Sequence, residues 1–394
     1  MSIPTFDPTG LEPRSATDDL RAESPLARTP DGTWVVLGHE EALAVVEDAE
    51  RFSSAVSRFL QVPGGLDGAE HAALRAATDP FFGPAEMDRL APVLRGVAAG
   101  LVEELLDGVD ERGTEIDAVA ALGAVFAVRA QTTWLGWPAE LEPELLQWMS
   151  ENHEASRSGD LSRTREVAER FDEIIRSLLA PRIAAGQDAP ADPTTALLRL
   201  RLPLPDPDVP GSEERSLREE EIVSILRNWT GGDLGSIALC TGVLLAAVAR
   251  APELAERLRD GSEQEAAAIV DELLRIDDPF VSNRRVATCP VTLAGQALEE
   301  GDRVMVHWTS ANRDERAFRS PDAFDPAANS TRNLVYGAGP HVCPGRPLAT
   351  LELVTLLRVL LSAAQVRPAG TPGEREVAPV GGWAHAPAVL VPRR

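Results

Sequence analysis

Apolar positions along this chain recur mostly at helical spacing, with short alternating runs confined to a few places. Thr33–Leu37 reads as a short apolar strand and His39–Ala49 as a helix. From Phe52 to Gly68 the pattern dissolves into Ser, Gly and Pro, which predicts a loop. Helical periodicity returns from Glu70 and governs Met87–Val109, Glu115–Thr133 and Pro138–Ser150. Glu151–Ala185 continues as a charged helix carrying Arg/Glu pairs at three- and four-residue spacing. A Pro- and Asp-rich stretch between Ala185 and Glu213, interrupted by a short apolar helix at Thr194–Leu200, reads as a surface connection. Leu217–Ala249 follows as one very long apolar helix, broken in the middle by Gly231, Gly232 and Gly235. Helices over Glu253–Asp260 and Glu263–Asp277 lead to Pro279, after which Ser282–Thr288, Val291–Leu293 and Arg303–Trp308 read as strands. The fold class is therefore mainly α with small β-sheets. Without internal repeats, residues 1–394 are expected to form one domain behind a short flexible segment at about 1–15.

Composition narrows the function. With 44% hydrophobic residues the chain can bury a large core, and 38 basic against 62 acidic residues leave a net charge of −24. That balance argues against nucleic-acid binding, which needs clustered positive charge. The basic residues are all arginine. Three scattered cysteines do not make a disulfide framework, so a reducing cytoplasm is expected. Met1–Thr17 is polar and proline-bearing, which predicts neither a signal segment nor a membrane anchor.

The residue with the most informative surroundings is Cys343, in Tyr336-Gly337-Ala338-Gly339-Pro340-His341-Val342-Cys343-Pro344-Gly345-Arg346-Pro347-Leu348-Ala349. Glycines and prolines ahead of it build a tight turn, and an apolar helix begins just after. Amide groups at a helix mouth favour a thiolate over a thiol. A fixed, sheltered thiolate is what an axial haem ligand has to be. Cys240 and Cys289 lack such a context and read as small buried hydrophobes.

The loop resembles the cysteine-ligand loop of cytochromes P450, Phe-Gly-x-Gly-x-His-x-Cys-x-Gly-x-x-Leu-Ala, and departs from it only at Tyr336, the chain's one tyrosine. From about Phe6 onward the chain is similar to soluble bacterial P450s of the natural-product type. The resemblance implies a triangular helical prism holding haem b, with Cys343 as its iron ligand and Tyr336 and Gly337 beside it. It implies propionate contacts from His71, Arg75, Arg285 and His341. Glu272 and Arg275 match the family's Glu-x-x-Arg pair, whose usual third partner, an arginine after Phe324-Asp325, is replaced by Ala328; Arg332 is the candidate substitute.

In the long helix, Thr230-Gly231-Gly232-Asp233-Leu234-Gly235-Ser236 departs from the family's Ala-Gly-x-Asp/Glu-Thr. Counting back from Arg250-Ala251-Pro252 puts Ser236 at the alcohol position and Asp233 one turn earlier; a slip of two would make Asp233 the acid and Leu234 the alcohol's replacement. Asp233 then either feeds protons or binds a polar substrate group, or simply fills a solvated kink. The family's layout implies substrate walls from Val56–Pro63, Asn152–Arg165, Asn228, Trp229, Gly232, Phe280, Val281, Asn283, Trp383 and His385, although Trp229 and Trp383 read equally as core. The implied activity is oxidation of a small, aromatic, hydrogen-bonding substrate or a short peptide, by monooxygenation or by oxidative coupling of aromatic groups; a non-catalytic activator is the remaining alternative. Electrons would come from a ferredoxin or flavodoxin-type partner docking near Arg346 and Arg358, and the protein is expected to be a monomer.

Overall fold

A computed structural model describes residues 3–205 and 212–393. The N-terminal third contains α1 (Ser15–Glu23), β1 (Leu26–Arg28), β2 (Trp34–Val36), α2 (His39–Val46), β3 (Phe52–Ser53), α3 (Gly68–Thr78), α4 (Pro84–Leu106), β4 (Thr114–Asp117) and α5 (Val125–Leu135). The middle holds α6 (Glu142–Ser158), α7 (Leu161–Ala185), α8 (Pro193–Arg199), β5 (Arg201–Leu202), β6 (Arg215–Ser216), α9 (Glu219–Arg250), α10 (Pro252–Asp260) and α11 (Glu263–Ile276). Next come β7 (Ser282–Ala287), β8 (Val291–Leu293), β9 (Gln296–Leu298), β10 (Arg303–His307) and two short helices, α12 (Trp308–Ala311) and α13 (Pro326–Asn329). The chain closes with α14 (Arg346–Ala363), β11 (Ala364–Pro368), β12 (Glu374–Arg375), β13 (Trp383–His385) and β14 (Pro387–Pro392). The helical majority and small sheets follow the sequence pattern.

Where boundaries differ from the pattern, a local interaction explains the difference. The charged run over 151–185 is split because Gly159 adopts a left-handed conformation (φ 67°) and ends α6. The Asp160 carboxylate then accepts from the Ser162 and Arg163 amides, opening α7. Glu115–Thr133 begins as a strand, not a helix, since Glu115 and Ile116 pair with Val389 and Ala388 of β14. Asp117 ends that strand by accepting from the Val119 and Ala386 amides, and a wide π-type turn over Ala118–Ala124 leads into α5. α9 runs unbroken through Gly231, Gly232 and Gly235. Each interior glycine costs about 1 kcal/mol against alanine, and packing on both sides of the glycine stretch holds the helix together: Ile222, Leu226, Leu244 and Leu245 are all buried. α9 is long and apolar enough to span a bilayer, but its apolar length is spent largely on this core.

Two cores result. The larger joins α4, α5, α7, α9, α11 and α14. The smaller lies under a five-stranded sheet ordered β1-β2-β10-β7-β3, around Trp34, Phe52, Val304 and Trp308. The lead-in expected to be flexible is tied to this sheet from residue 3 onward: Thr5 bridges Arg28, the Phe6 amide donates to Arg28, and Phe6 packs edge-on against His307 at 5.5 Å.

Glu272 and Arg275 on α11 are fully buried and form a bidentate pair at 2.8 and 2.9 Å. Arg275 also donates to the carbonyls of Asn312 and Pro321. Neither Ala328 nor Arg332 completes the network. Asn329 does, donating its side-chain amide to Glu272 Oε1 at 2.7 Å, and the Asp325 backbone amide adds a bond at 3.0 Å. Arg332 turns outward to the Ala317 carbonyl. Asn329→Ala is therefore expected to cost about 1.5–3 kcal/mol, because it removes a donor from a buried charge. Arg332→Ala should stay within about 0.5 kcal/mol of the parent; urea unfolding of both variants checks the assignment.

Candidate active site

Between α9 and the loop preceding α14 lies a cavity of about 760 Å³, within the range that small-molecule sites occupy. Cys343 lines it. Its loop is held by a few specific contacts. The Cys343 amide donates to the Tyr336 carbonyl at 2.9 Å. Arg75 of α3 donates to the carbonyls of Pro340 and Val342 at 3.1 and 3.0 Å, while its Nε binds Asp79 at 2.6 Å. Gly339 has φ +70° and faces the Val46 carbonyl so closely that an added Cβ would lie 2.3 Å from the oxygen. Only glycine meets both demands.

The helix mouth supplies the expected amide donors, those of Gly345 and Arg346, to the sulfur. Desolvation nevertheless pushes the Cys343 thiol up, against the pull of those two amides, although the residue as a whole is open to the cavity. Binding of a metal ion deprotonates such a ligand.

A second group of residues gathers at one side of the cavity. His71, Arg75, Arg285 and His341 all line it. The His71 and His341 rings stand 4.1 Å apart. His71 is 5% exposed and its Nε2 is buried without a partner. Burial, with the neighbouring His341 and Arg75 charges adding, pushes its pKa down to about 4, so the ring is neutral. His341 Nε2 contacts Asp67 Oδ1 at 3.1 Å. Arg285 is 7% exposed, and among the described residues its side chain donates to the carbonyl of Arg284. Burial lowers its pKa too. A buried guanidinium that forms no ion pair among the described residues, beside an orphaned imidazole nitrogen, is a site suited to an anionic group even with Asp67 acting on it from nearby. This donor set fits the two carboxylates of haem b, and the sulfur in the same cavity fits its iron.

On the α9 side, Asn228, Trp229, Gly232, Asp233 and Ser236 line the cavity, whereas Leu234 is wholly buried in the core. Of the two residues the alternative registers would use as the alcohol or its replacement, Ser236 lines the cavity and Leu234 does not. Gly232 and Gly235 face open space. Phe280, Asn283, Tyr336 and Gly337 complete the expected wall, with Val56, Ser57, Gln61 and Pro63 from the loop before α3. Asn228 is already engaged with the Val62 carbonyl at 3.0 Å and Asn283 with the Trp308 indole at 2.6 Å.

Several expected wall residues lie elsewhere. Val281 is core, its carbonyl accepting from the Trp308 amide. Trp383 sits under Arg250 and Arg375, at 5.4 and 4.5 Å, and His385 pairs with Asp117 at 3.0 Å. Residues 152–165 do not line the cavity; their charges are spent on pairs such as Arg163–Glu154 and His153–Glu376. Arg358 donates to the carbonyls of Leu258 and Gly261, which holds its charged guanidinium against the protein. Arg346 binds Asp271 at 2.7 Å with about half of its side chain exposed. Sequence reasoning missed Phe82, Trp134 and Trp308, which also line the cavity. Trp229 belongs both to the wall and to a ring cluster, 5.3 Å from Trp134 and 5.2 Å from Phe81 and Phe82. The pair Phe81-Phe82, in a chain with 5% aromatic residues, was the available signal.

Comparison with known proteins agrees with this geometry. The cytochrome P450 family model matches residues 266–381. Nocardicin C N-oxygenase of Nocardia uniformis subsp. tsuyamanensis is 30% identical over 386 residues, covering 92% of this chain and 90% of that protein. Erythromycin C-12 hydroxylase of Saccharopolyspora erythraea is 29% identical, covering 84% and 82%. The solved structure of CxnD, a cytochrome P450 enzyme for C–S bond formation in chuangxinmycin biosynthesis, superposes with a TM-score of 0.82 at 23% identity, covering 100% and 99%.

Gly339→Ala is expected to lower stability by about 2–4 kcal/mol, combining left-handed strain with a clash against backbone. Gly337→Ala has the same sign of φ but meets only Trp308, at 3.9 Å, and should cost about 1–2 kcal/mol. Thermal melts of the two variants separate these costs.

Proposed function

The chain belongs to the cytochrome P450 family, whose members bind haem b through a cysteine thiolate, and from that premise we propose that Cys343 is the iron ligand of a monooxygenase acting on a small secondary-metabolite substrate. The observation that carries the reading is one cavity lined by Cys343, by the buried Arg285 and by His71, whose Nε2 has no partner. Haem b, when bound there, supplies dioxygen binding and, with electron density from the thiolate, scission of the O–O bond.

The chain's own residues then divide the remaining work. The Tyr336 carbonyl and the Arg75 guanidinium hold the Cys343 loop in place. Arg285, His71 and His341, with Arg75 beside them, bind the propionates and orient the ring. Ser236 Oγ positions a water in the cavity, and Asp233 holds a proton one helical turn away. Val56, Asn228, Trp229, Gly232, Phe280 and Asn283 wall the substrate. Because both asparagines already have protein partners, the wall is mainly aromatic and apolar in what it offers, which supports an aromatic substrate. That relatives are named an N-oxygenase and a C-12 hydroxylase supports oxygen insertion over oxidative coupling.

Bacterial P450s generally take electrons from ferredoxin-type partners. Here such a partner, or a flavodoxin-type one, would dock in the cytoplasm over the exposed part of Arg346, which lies 5.0 Å from the Tyr336 ring.

Purified protein is expected to carry haem b and to give the thiolate-type spectrum when reduced under carbon monoxide. Cys343→Ala should abolish that spectrum, and haem ligated through another side chain would overturn the assignment. Arg285→Ala should speed haem loss by about tenfold or more, the worth of a charged hydrogen bond. For a substrate found by its spectral shift, mass spectrometry should show gain of one oxygen atom; loss of two hydrogens would identify coupling instead.

A further inference from the structure

Among the described residues one carboxyl lines the cavity, that of Asp233 on α9. His71, Arg75, Arg284, Arg285 and His341 in the same lining are basic, yet none of them forms an ion pair with it among the described residues. Asp233 Oδ2 is buried and has no hydrogen-bond partner. The ionisable group that acts on it is a further acid, Glu352 of α14, which is buried, stands outside the lining and brings no positive charge. Burial pushes Asp233 up to about 7, so its charged form is held back for want of a cation.

Outside the basic group the rest of the lining is uncharged. Trp229 and Phe280 contribute aromatic rings, while Asn228 and Asn283 are engaged with the Val62 carbonyl and the Trp308 indole. Ser236 stands in the lining one turn further along α9 and offers a hydroxyl oxygen. Gly232, next to Asp233 in the lining, has nothing within 4 Å of where a Cβ would stand, which leaves room for a ligand against the helix. A carboxylate in such a place is costly unless a positively charged donor meets it. A hydroxyl group could bond to Oδ2 but would leave the charge uncompensated, whereas an ammonium supplies both the bond and the charge. Aromatic faces favour a cation as well.

We propose that Asp233 is a substrate-binding carboxylate and that the substrate is an amine with an aromatic body, held as its ammonium ion against Asp233 Oδ2. The inference rests on the haem-thiolate reading above and names the substrate class of that same site. As the ammonium arrives, Asp233 gives up to water any proton it carries, and an ion pair forms with no covalent bond of the substrate made or broken. Protonation also occupies the nitrogen lone pair, so the amine does not compete for the iron. The two kinds of charge in the cavity then have separate tasks: the basic group receives the cofactor's carboxylates, and the single acid selects a cation.

Three probes of similar shape separate charge from fit: tryptamine as the cation, tryptophol as its neutral counterpart and indole-3-propionate as the anion. Binding of each to the purified holoprotein is measured at neutral pH by calorimetry and by the spectral shift of the haem. Tryptamine should bind about tenfold or more tighter than tryptophol, the worth of one charged hydrogen bond, with indole-3-propionate weakest. In Asp233→Asn that advantage should shrink to about twofold or less, while tryptophol stays within about threefold of its affinity for the parent. A purely structural role for Asp233 would weaken both probes alike. Equal affinities of tryptamine and tryptophol in the parent would overturn the proposal, as would an advantage that survives in Asp233→Asn. Should that variant not fold, the parent decides alone: displacement of iron-bound water by tryptamine supports the ion pair, and the spectrum of a nitrogen ligated to iron refutes it. Absence of the thiolate-type carbon monoxide spectrum would instead refute the haem-ligand reading, and the calorimetric ranking, which needs no haem signal, still judges Asp233.

Discussion

The sulfur of Cys343 stands where it does because its loop is gripped by backbone contacts that tolerate little change. Arg75 reaches across from α3 to two loop carbonyls, the Cys343 amide closes onto Tyr336, and Gly339 presses its Cα against the Val46 carbonyl. Those contacts fix the start of α14, and α14 packs against α4, α9, α10 and α11 in the main core. The sulfur's position is thus tied to the packing of the helical body. That matters for the iron ligand proposed here, because desolvation raises the thiol's pKa. The loop supplies position, and a bound metal ion would supply the drive toward the thiolate.

Charge inside the cavity is segregated. Arg285, His71 and His341 gather on one side, where each is depressed in pKa by burial. Asp233 of α9, and Glu352 of α14 outside the cavity lining, are raised by the same physical cause acting on acids. In both places burial disfavours the charged form. The basic set has Asp67 beside it, bonded to His341, and neither set forms an ion pair with the other among the described residues. Such arrangements cost stability, which the large helical core supplies elsewhere.

The buried Glu272–Arg275 pair shows how a family pattern can be met by different atoms. The position expected to provide a cation holds Ala328, and the next residue answers with an amide. Arg275 already neutralises Glu272, so the remaining lone pair needs a donor and not a further charge. Asn329 satisfies that need without bringing another guanidinium into the interior.

Local patterns determined a good deal by themselves: the long apolar α9, the helix-rich class, the Cys343 loop with its required glycines, and the placement of His71 and Arg75 one turn apart. Each depends on neighbours within a few residues, through helical periodicity, turn conformation or side-chain spacing. Tertiary structure decided the rest. It drew β4 out of an apparent helix by pairing it with β14, carried α9 unbroken through its glycines, and turned Trp383 and Val281 away from the cavity while bringing in Trp134 and Trp308. It also brought Asp233 and Cys343, residues more than a hundred positions apart, to the wall of one cavity. Desolvation and contact between distant segments leave no periodic trace in a chain, because their energies depend on which surfaces meet and not on which residues are adjacent.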